Sequence, residues 1–493
     1  MKPPAGPSLS HRAFLALGLW AGYYLLVFAI AGGLLYFTYW VFDQVKTPSL
    51  FLVVLAIGSG IAALRILWAS FPRWQKFQPP GVKLDPARHP LLFEEIRRIA
   101  RDTHQRAPSE VYLIADVNAW VSKRGGFLGL FRKPVLAMGL PLLKILTQLQ
   151  FRSVLVHEFG HYVGGDTALG PWVYKTYAAI QRTIETLEGS DSVWRFPFLA
   201  YAKLFTRTTL AVSREQELSA DALAAKIAGA KPAAQALRLI EAASNAFPSF
   251  VGEELMPLLN AEFRAPLCEG FARYLSTKEI SRFVMRRVNR EMTDKKRDPY
   301  RTHPPLPDRL ERMATLPAGF ETREDPPAME MLTDLDGLER ELIAFVTENP
   351  AVRKMPMISW DDAGEKAFLP QWREQAKIAR EQLKDVRPEQ FPELKLTEIG
   401  RRFEKQGSDA QARSIAMSAL GSALLVSLRD QGWTIAMEPG DRPTVIRDGV
   451  RVEPFHIFVD MAEGKMSRDE WKERCKSGGF EGLNLGPAEA ATS

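Results

Sequence analysis

The first 71 residues contain two long apolar runs, which limit the folds open to this part of the chain. Residues 14–42 have no charged side chain, and residues 50–71 have only Arg65. A helix of about 20 apolar residues is long enough to cross the hydrocarbon core of a bilayer. We therefore expect an N-terminal hairpin of two membrane spans. The alternatives are a signal peptide, whose apolar core would be shorter, and a buried helical hairpin.

Basic residues flank this hairpin unevenly. Lys2 and Arg12 precede the first run, and Arg73, Lys76 and Lys83 follow the second, whereas the loop between the runs has one lysine and one aspartate. Cytoplasmic segments next to membrane spans carry an excess of lysine and arginine. The pattern predicts that both the N-terminus and the long C-terminal part lie in the cytoplasm. We expect a multi-pass protein of a bacterial inner (plasma) membrane.

Composition narrows the class of protein further. A chain of 493 residues can hold two or three domains, and a net charge of +6 is too modest at this length to indicate a nucleic-acid surface. The two cysteines, Cys268 and Cys475, provide no disulfide framework and suit a reducing compartment.

The sequence His157-Glu158-Phe-Gly-His161 has the spacing of a metal-binding helix. Two histidines four residues apart lie on one face of a helix, so both imidazoles can reach one ion, which in such sites is usually Zn²⁺. Glu158 is better placed to move a proton than to bind the ion. A metal that polarises a water and a carbonyl, beside a carboxylate that removes the proton of the water, suits a hydrolase.

A third ligand is expected in the helical segment 213–225. Glu217 and Asp221 are four residues apart and share a helix face, so that one can bind the metal while the other orients a ligand histidine. The chemistry of the side chains alone does not favour Glu217 over Glu215. The alternative is a solvated, charged helix face.

Several motifs occur in the order found in one protein family. In chain order they are Asn118-Ala119-Trp120, His157-Glu-Phe-Gly-His161, Glu217-x-x-Ala-Asp221 and Thr302-His303-Pro-Pro-Leu-Pro-Asp-Arg309. Because these motifs occur together, residues 85–315 resemble the HtpX-type membrane zinc metallopeptidases. That family includes the type I CAAX prenyl proteases and the Oma-type mitochondrial protease.

The resemblance implies a role for each matching residue. By it, His157, His161 and Glu217 bind one Zn²⁺ per subunit, Glu158 is the general base, and Asp221 supports a ligand from behind. Asn118, Ala119 and Trp120 would form a sheet edge that an extended substrate joins as another strand; the alternative is an ordinary strand with a core tryptophan. His303 would hold the oxyanion or occupy the fourth metal position, the alternative being a histidine that caps a helix.

The predicted fold is α+β and mainly α. We expect a membrane anchor over residues 1–80, with spans at about 14–42 and 50–71. Residues 81–318 are expected to form a zincin-like metallopeptidase domain that contains a small sheet, and residues 331–493 a small α+β accessory domain. Residues 167–212 lack the two further spans usual in the family, and they predict long helices beside the metal helix. Residues 433–437, 443–447 and 450–459 predict strands.

The function predicted from these features is that of a membrane-anchored zinc endopeptidase acting on membrane or misfolded proteins. Its partners would be a polypeptide substrate and the lipid bilayer, without nucleic acid. The alternative is a non-proteolytic, membrane-tethered binding or chaperone-like module that retains the metallopeptidase fold.

Overall fold

The computed structural model describes residues 9–71, 77–124, 133–163, 166–187, 193–293, 304–317, 324–384, 386–404 and 406–486. Its α-helices are, in chain order, α1 (Leu9–Gln44), α2 (Leu50–Ser70), α3 (Pro90–Asp102), α4 (Leu140–Ile145), α5 (Gln148–Val163), α6 (Asp166–Thr186), α7 (Arg195–Ala228), α8 (Ala230–Phe250), α9 (Met256–Asn260), α10 (Leu267–Ser276), α11 (Lys278–Thr293), α12 (Leu306–Ala314), α13 (Leu335–Val346), α14 (Trp360–Ala363), α15 (Leu369–Ala379), α16 (Leu396–Phe403), α17 (Asp409–Asp430), α18 (Ile457–Ala462) and α19 (Arg468–Ser477). Its strands are β1 (Val82–Lys83), β2 (Glu110–Ile114), β3 (Ala119–Arg124), β4 (Lys133–Gly139), β5 (Thr434–Ala436), β6 (Thr444–Arg447) and β7 (Val450–Val452). The chain is thus mainly helical with small sheets, as the sequence predicts.

The two apolar runs form an antiparallel helical hairpin, α1 and α2. Within it, Leu17–Gln44 and Leu50–Ser70 are each long and apolar enough to cross a membrane. The hydroxyl of Ser49 accepts a hydrogen bond from the amide of Leu52 and so caps the second helix. Most large apolar side chains of the hairpin face outward, which is the distribution expected of helices surrounded by lipid.

A second hairpin, formed by α6 and α7, packs against the first. The two hairpins share a buried apolar cluster, to which α7 contributes Phe198 and Phe205. Tyr23 of α1 donates to Ser70 of α2 at 3.0 Å and lies 2.9 Å from the hydroxyl of Thr183 of α6. The helices predicted over residues 167–212 are therefore present, and α7 continues past them towards residue 228.

A mixed sheet in the order β1-β2-β4-β3 precedes the helix that carries the two histidines. β2 and β4 run parallel, and β3 pairs antiparallel with β4 and forms the edge of the sheet. One face of the sheet joins the main core, and Trp120 lies on the other face beside Tyr112 and Val135. The sheet edge therefore runs next to α5, where an extended chain could align.

Residues 324–486, here called the C-terminal unit, share a hydrophobic core with the preceding segment. The core runs from Leu84 to Leu485 without a break between the two parts. Both carboxylate oxygens of the buried Glu339 accept hydrogen bonds from the first amides of α10, those of Leu267 and Cys268. Trp360 donates its indole N–H to the carbonyl of Pro266. The domain boundary at residue 331 stays a prediction, and the contacts across it are those of a protein interior.

One predicted strand is wrong. Residues 450–459 are not a continuous strand, because β7 ends at Val452 and α18 begins at Ile457. Pro454 lies between them and has no amide hydrogen to donate to a neighbouring strand, so it ends the pairing with β6.

A buried carboxylate lies at the junction of the two parts. Glu254, in the π-helical turn Val251–Leu255, is 6% exposed, and its Oε1 accepts a hydrogen bond of 2.8 Å from the amide of Gly440. Burial raises the pKa of Glu254 to about 7, although the hydrogen bond from Gly440 acts in the opposite direction. Because the folded-state pKa lies above the unfolded value, this group lowers the free energy of unfolding as the pH rises from about 4.5 to 7.

The Glu254→Gln variant should therefore be more stable than wild type at alkaline pH. The amide oxygen of glutamine can accept the same hydrogen bond without carrying a charge. We expect a gain in the free energy of unfolding of about 3 kcal/mol at pH 8 and less than about 1 kcal/mol at pH 5. Thermal unfolding midpoints in detergent at the two pH values measure it. Glu311→Gln on the exposed side of α12 is the control; an equal gain in both variants, or none at pH 8, contradicts the prediction.

Candidate metal centre

The helix α5 carries His157, Glu158 and His161, and the first two of these line a cavity. Its apolar face anchors it in the core through the buried side chains of Phe151, Leu155, Val156 and Phe159. The two imidazole rings are 4.9 Å apart between centroids and nearly perpendicular. One ligand atom from each of His157, Glu158 and His161 lies within 4.8 Å of the other two. The HExxH spacing thus folds into a cluster of donors with a common centre.

A glycine lets the neighbouring helix α7 approach this cluster closely. A Cβ atom at Gly160 would lie 3.1 Å from both the Cα and the Cβ of Ala220. That distance is tighter than ordinary van der Waals contact, so a larger residue at position 160 would push α7 away. The small pair Gly160 and Ala220 therefore sets the distance from α5 at which Glu217 and Asp221 stand.

The Glu217 carboxylate faces both histidines. Its Oε2 lies 3.4 Å from Nε2 of His157, and its Oε1 lies 3.5 Å from Nε2 of His161. Glu217 is 5% exposed. Two imidazole nitrogens and one carboxylate oxygen that converge in this way match the three protein ligands of a catalytic zinc site.

Asp221 and Arg309 form a second layer behind the ligands. Oδ1 of Asp221 lies 3.0 Å from Nδ1 of His157. Arg309 donates two hydrogen bonds of 2.7 Å to the same carboxylate, one to each oxygen, and its Nη2 is 3.6 Å from Glu217. Asp221 thereby fixes the ring of His157 with Nδ1–H directed backward and Nε2 directed at the cluster.

The hydrogen bonds between Arg309, Asp221 and His157 favour the charged forms of Asp221 and His157. Burial alone raises the pKa of Asp221, but the hydrogen bonds from Arg309 and His157 outweigh it, so the pKa lies below its usual value. Burial lowers the pKa of His157, but its hydrogen bonds to Asp221 and Glu217 outweigh burial and raise it to about 9. A cation that binds Nε2 of His157 must therefore displace a proton, which makes metal binding dependent on pH.

A cavity of about 560 Å³ opens in front of the donors. Asn118 and Ala119 from the edge of the sheet line one side, next to His157, Glu158 and Glu217. Small and apolar residues of α8 also line the cavity, together with Glu241 and Asn245 of the same helix. Arg287 and Glu291 of α11 and three residues of α12 form the rest of the wall. The cavity is large enough for a substrate side chain and adjoins a strand edge able to bind a main chain.

The structure brings most of the predicted site residues together. His157, Glu158, Glu217, Asp221, Asn118 and Ala119 all line the cavity. Trp120 does not, because alternation along β3 places it on the opposite face of the sheet, beside Tyr112 and Val135. His303 lies outside the described residues. Arg309 was predicted only as part of a motif, without a role; its location in a helix after a proline pair did not indicate that it contacts Asp221.

The donor set fits Zn²⁺. Two neutral imidazole nitrogens and a carboxylate oxygen are ligands that zinc accepts, and the second layer has the carboxylate–histidine arrangement that fixes the tautomer of a ligand. His157, His161 and Glu217 are the residues that would hold the ion. Glu158 is left to act on a water in the cavity.

The Glu217→Gln variant should lose zinc, whereas Glu215→Gln should keep it. Glutamine removes the charge that balances the cation, and we expect zinc affinity to fall by more than about 100-fold, since even changes behind a ligand cost 10- to 100-fold. Elemental analysis of the purified proteins measures bound zinc. Glu215 is the matched control because it lies on the same helix, two residues away, and is not among the residues around the cavity. Full zinc in Glu217→Gln would place the third ligand elsewhere.

The Asp221→Asn variant tests the second layer. Asparagine no longer holds His157 and Arg309 by charge, so zinc affinity should fall by about 10- to 100-fold without being abolished. Competition with a chelator measures it. The control is Asp336→Asn, which also removes the carboxylate partner of a buried arginine, Arg264, but away from the metal centre. An equal change of zinc affinity in both variants would make the effect one of general stability.

A comparison with known proteins agrees with this geometry. A model of peptidase family M48 matches residues 86–316. No curated protein and no solved structure matches the chain significantly. The matched segment includes the HExxH helix, Glu217 and Asp221 of α7, and Arg309 of α12. The resemblance seen in the sequence is therefore confirmed as a match of residues 86–316 to peptidase family M48, the family of the HtpX-type zinc metallopeptidases.

Proposed function

We propose that the chain is a membrane-anchored, zinc-dependent endopeptidase whose general base is Glu158. The observation that carries this proposal is the Glu217 carboxylate, which faces Nε2 of both HExxH histidines at 3.4 and 3.5 Å. Family M48 supports a metallopeptidase, and the donor set supports zinc as the metal.

The residues of the chain divide the chemistry between them. A bound Zn²⁺ would supply a Lewis acid that polarises the scissile carbonyl and acidifies a water. Glu158 lines the same cavity and accepts the proton from that water as it attacks, then transfers it to the amine that leaves. Asp221 holds the Nδ1–H of His157, so that Nε2 is the nitrogen that would give up its proton and bind the ion, and Arg309 keeps Asp221 in place.

A polypeptide is the substrate that best suits the surroundings of the metal centre. β3 is the last strand of its sheet and begins at Ala119, which lines the cavity. An extended peptide that pairs with this edge gains main-chain hydrogen bonds whatever its sequence, and its next residues pass the donors. Recognition by the main chain suits cleavage within membrane or misfolded proteins, which share no common sequence.

The membrane anchor would be the hairpin of α1 and α2. The distribution of basic residues around the two runs supports a cytoplasmic location for the metal centre. The membrane that we propose is a bacterial inner (plasma) membrane. The contacts of α6 and α7 with this hairpin hold the catalytic part close to the bilayer. Substrates that are themselves in or near the membrane are therefore favoured.

The Glu158→Gln variant should bind as much zinc as wild type and fail to cleave. Glutamine cannot accept the proton, and loss of a general base costs about 10²- to 10⁴-fold in rate. Both proteins would be purified in detergent, assayed for zinc and incubated with casein, with Glu215→Gln as the control that retains both properties. Equal cleavage by wild type and Glu158→Gln would refute the role of Glu158. Stoichiometric zinc without cleavage by wild type would favour the membrane-tethered binding module.

A further inference from the structure

A short loop of the C-terminal unit contacts the helices that lead to the catalytic cavity. Residues 438–442, here called the 438–442 loop, are closed by a hydrogen bond from the amide of Asp441 to the carbonyl of Glu438. Arg442 joins the loop to its own unit, since its Nη1 lies 3.0 Å from Glu453 and 2.9 Å from Asp460. The loop is thus a fixed part of the C-terminal unit.

The same loop meets the corner between α10 and α11 at several points. Glu438 lies 3.1 Å from Nη1 of Arg273 on α10, and Nη2 of Arg442 lies 3.1 Å from Glu279 in the first turn of α11. Between these two residues of the loop, the amide of Gly440 donates a hydrogen bond of 2.8 Å to Glu254 of the turn Val251–Leu255. Polar contacts therefore hold the corner from the side of the C-terminal unit.

Gly440 makes the closest approach to this corner. Its φ is +78°, and a Cβ atom there would lie 2.7 Å from Tyr274, 2.8 Å from Thr277 and 2.9 Å from Ile280. Any side chain at position 440 would therefore push against the end of α10 and the start of α11. The loop backbone is in contact with the helix corner because the residue is glycine.

α11 packs against α8 and α12, but it has few apolar contacts with the core, so polar contacts of this kind add to the interactions that fix its position. Among its described residues none is buried, and its packing against the core rests on the half-buried side chains of Ile280 and Val284. Its second half carries Arg287 and Glu291, which form part of the cavity wall. Glu279 and Arg287 are eight residues apart, about 12 Å along one helix, so a shift of the first turn is passed on to the wall.

From these contacts we propose that the 438–442 loop is a positioning element for α11. Through α11 it sets the placement of Arg287 and Glu291 and thus the entry of a polypeptide into the catalytic cavity. The inference rests on the proposed function in so far as the cavity binds a polypeptide. It gives the C-terminal unit a role in substrate binding, and Arg442 and Gly440 a positioning role without contact to the reacting atoms.

The test compares Gly440→Ala with Gly449→Ala. Gly449 lies in the same unit at φ +83°, and no atom lies within 4 Å of a Cβ placed there. Both variants carry the same backbone strain, but only Gly440→Ala displaces the corner of α10 and α11. The readouts are bound zinc, amide hydrogen exchange of residues 278–293, and KM and kcat for labelled casein.

We expect Gly440→Ala to raise KM by about threefold to tenfold and to speed exchange in α11, with kcat and zinc close to wild type. Gly449→Ala should match wild type in all four. Equal KM and equal exchange in the two variants would overturn the proposal. A fall in kcat or zinc in Gly440→Ala with unchanged KM would also overturn it, since the loop would then support the metal centre rather than the cavity wall.

A second pair of variants covers the case in which Gly440→Ala does not fold. Glu279→Gln removes the ion pair to the loop and leaves Arg442 with Glu453 and Asp460. Its control is Asp430→Asn, which removes an exposed ion pair to Arg373 inside the C-terminal unit. Faster exchange in α11 for Glu279→Gln alone supports the proposal, and equal exchange contradicts it. If wild type cleaves no casein, the proposed function fails, while hydrogen exchange still decides whether the loop positions α11.

Discussion

The metal centre depends on one buried carboxylate, Asp221, which is shared between Arg309 and His157. Three charged or polar groups that are distant in sequence meet there at 2.7 to 3.0 Å, and they join α5, α7 and α12. Taking such groups out of water is costly unless each has its partner, and removal of one partner of a buried pair costs about 3 to 5 kcal/mol. The network is therefore stable only when the three helices are together, which is also the arrangement that points Nε2 of His157 at Glu217.

Local features of the site could be predicted from the sequence, and long-range ones could not. The placement of His157 and His161 on one helix face follows from a spacing of four residues. Residues 215 and 217 are two positions apart, which on a helix is about 200° of rotation, so only one of them can face α5. Which one does so depends on how Ala220 of α7 packs against Gly160 of α5, and neither propensity nor periodicity contains that information. The contact of Arg309 with Asp221 spans 88 positions in the chain and has the same origin.

In the C-terminal unit, too, local features could be predicted from the sequence and long-range contacts could not. Its α+β character could be predicted in part from strand-forming runs, but Pro454 ended one strand earlier than the apolar pattern indicates. Its attachment to the rest was not predictable, because Glu339 and Trp360 act on residues 71 to 94 positions away. A carboxylate that accepts two amides at a helix start is recognisable only once both partners are in place. The apolar composition of the segment is compatible with a free domain as well as with a shared core.

The continuity of α7 affects how the catalytic part can move relative to the membrane. Residues 78–81, Gln-Pro-Pro-Gly, have the sequence of a flexible joint, and on their own would let the domain swing. However, α7 is one uninterrupted helix, packed on the N-terminal hairpin at Phe205 and contributing Glu217 twelve residues later, about 18 Å along its axis. A rigid second connection removes the freedom that the joint offers. With the hairpin in a bilayer, as proposed, the height of the metal centre above the bilayer would be set by the number of helical residues between the two sites, and a polypeptide substrate emerging from the membrane would meet the centre at a fixed distance along its own chain.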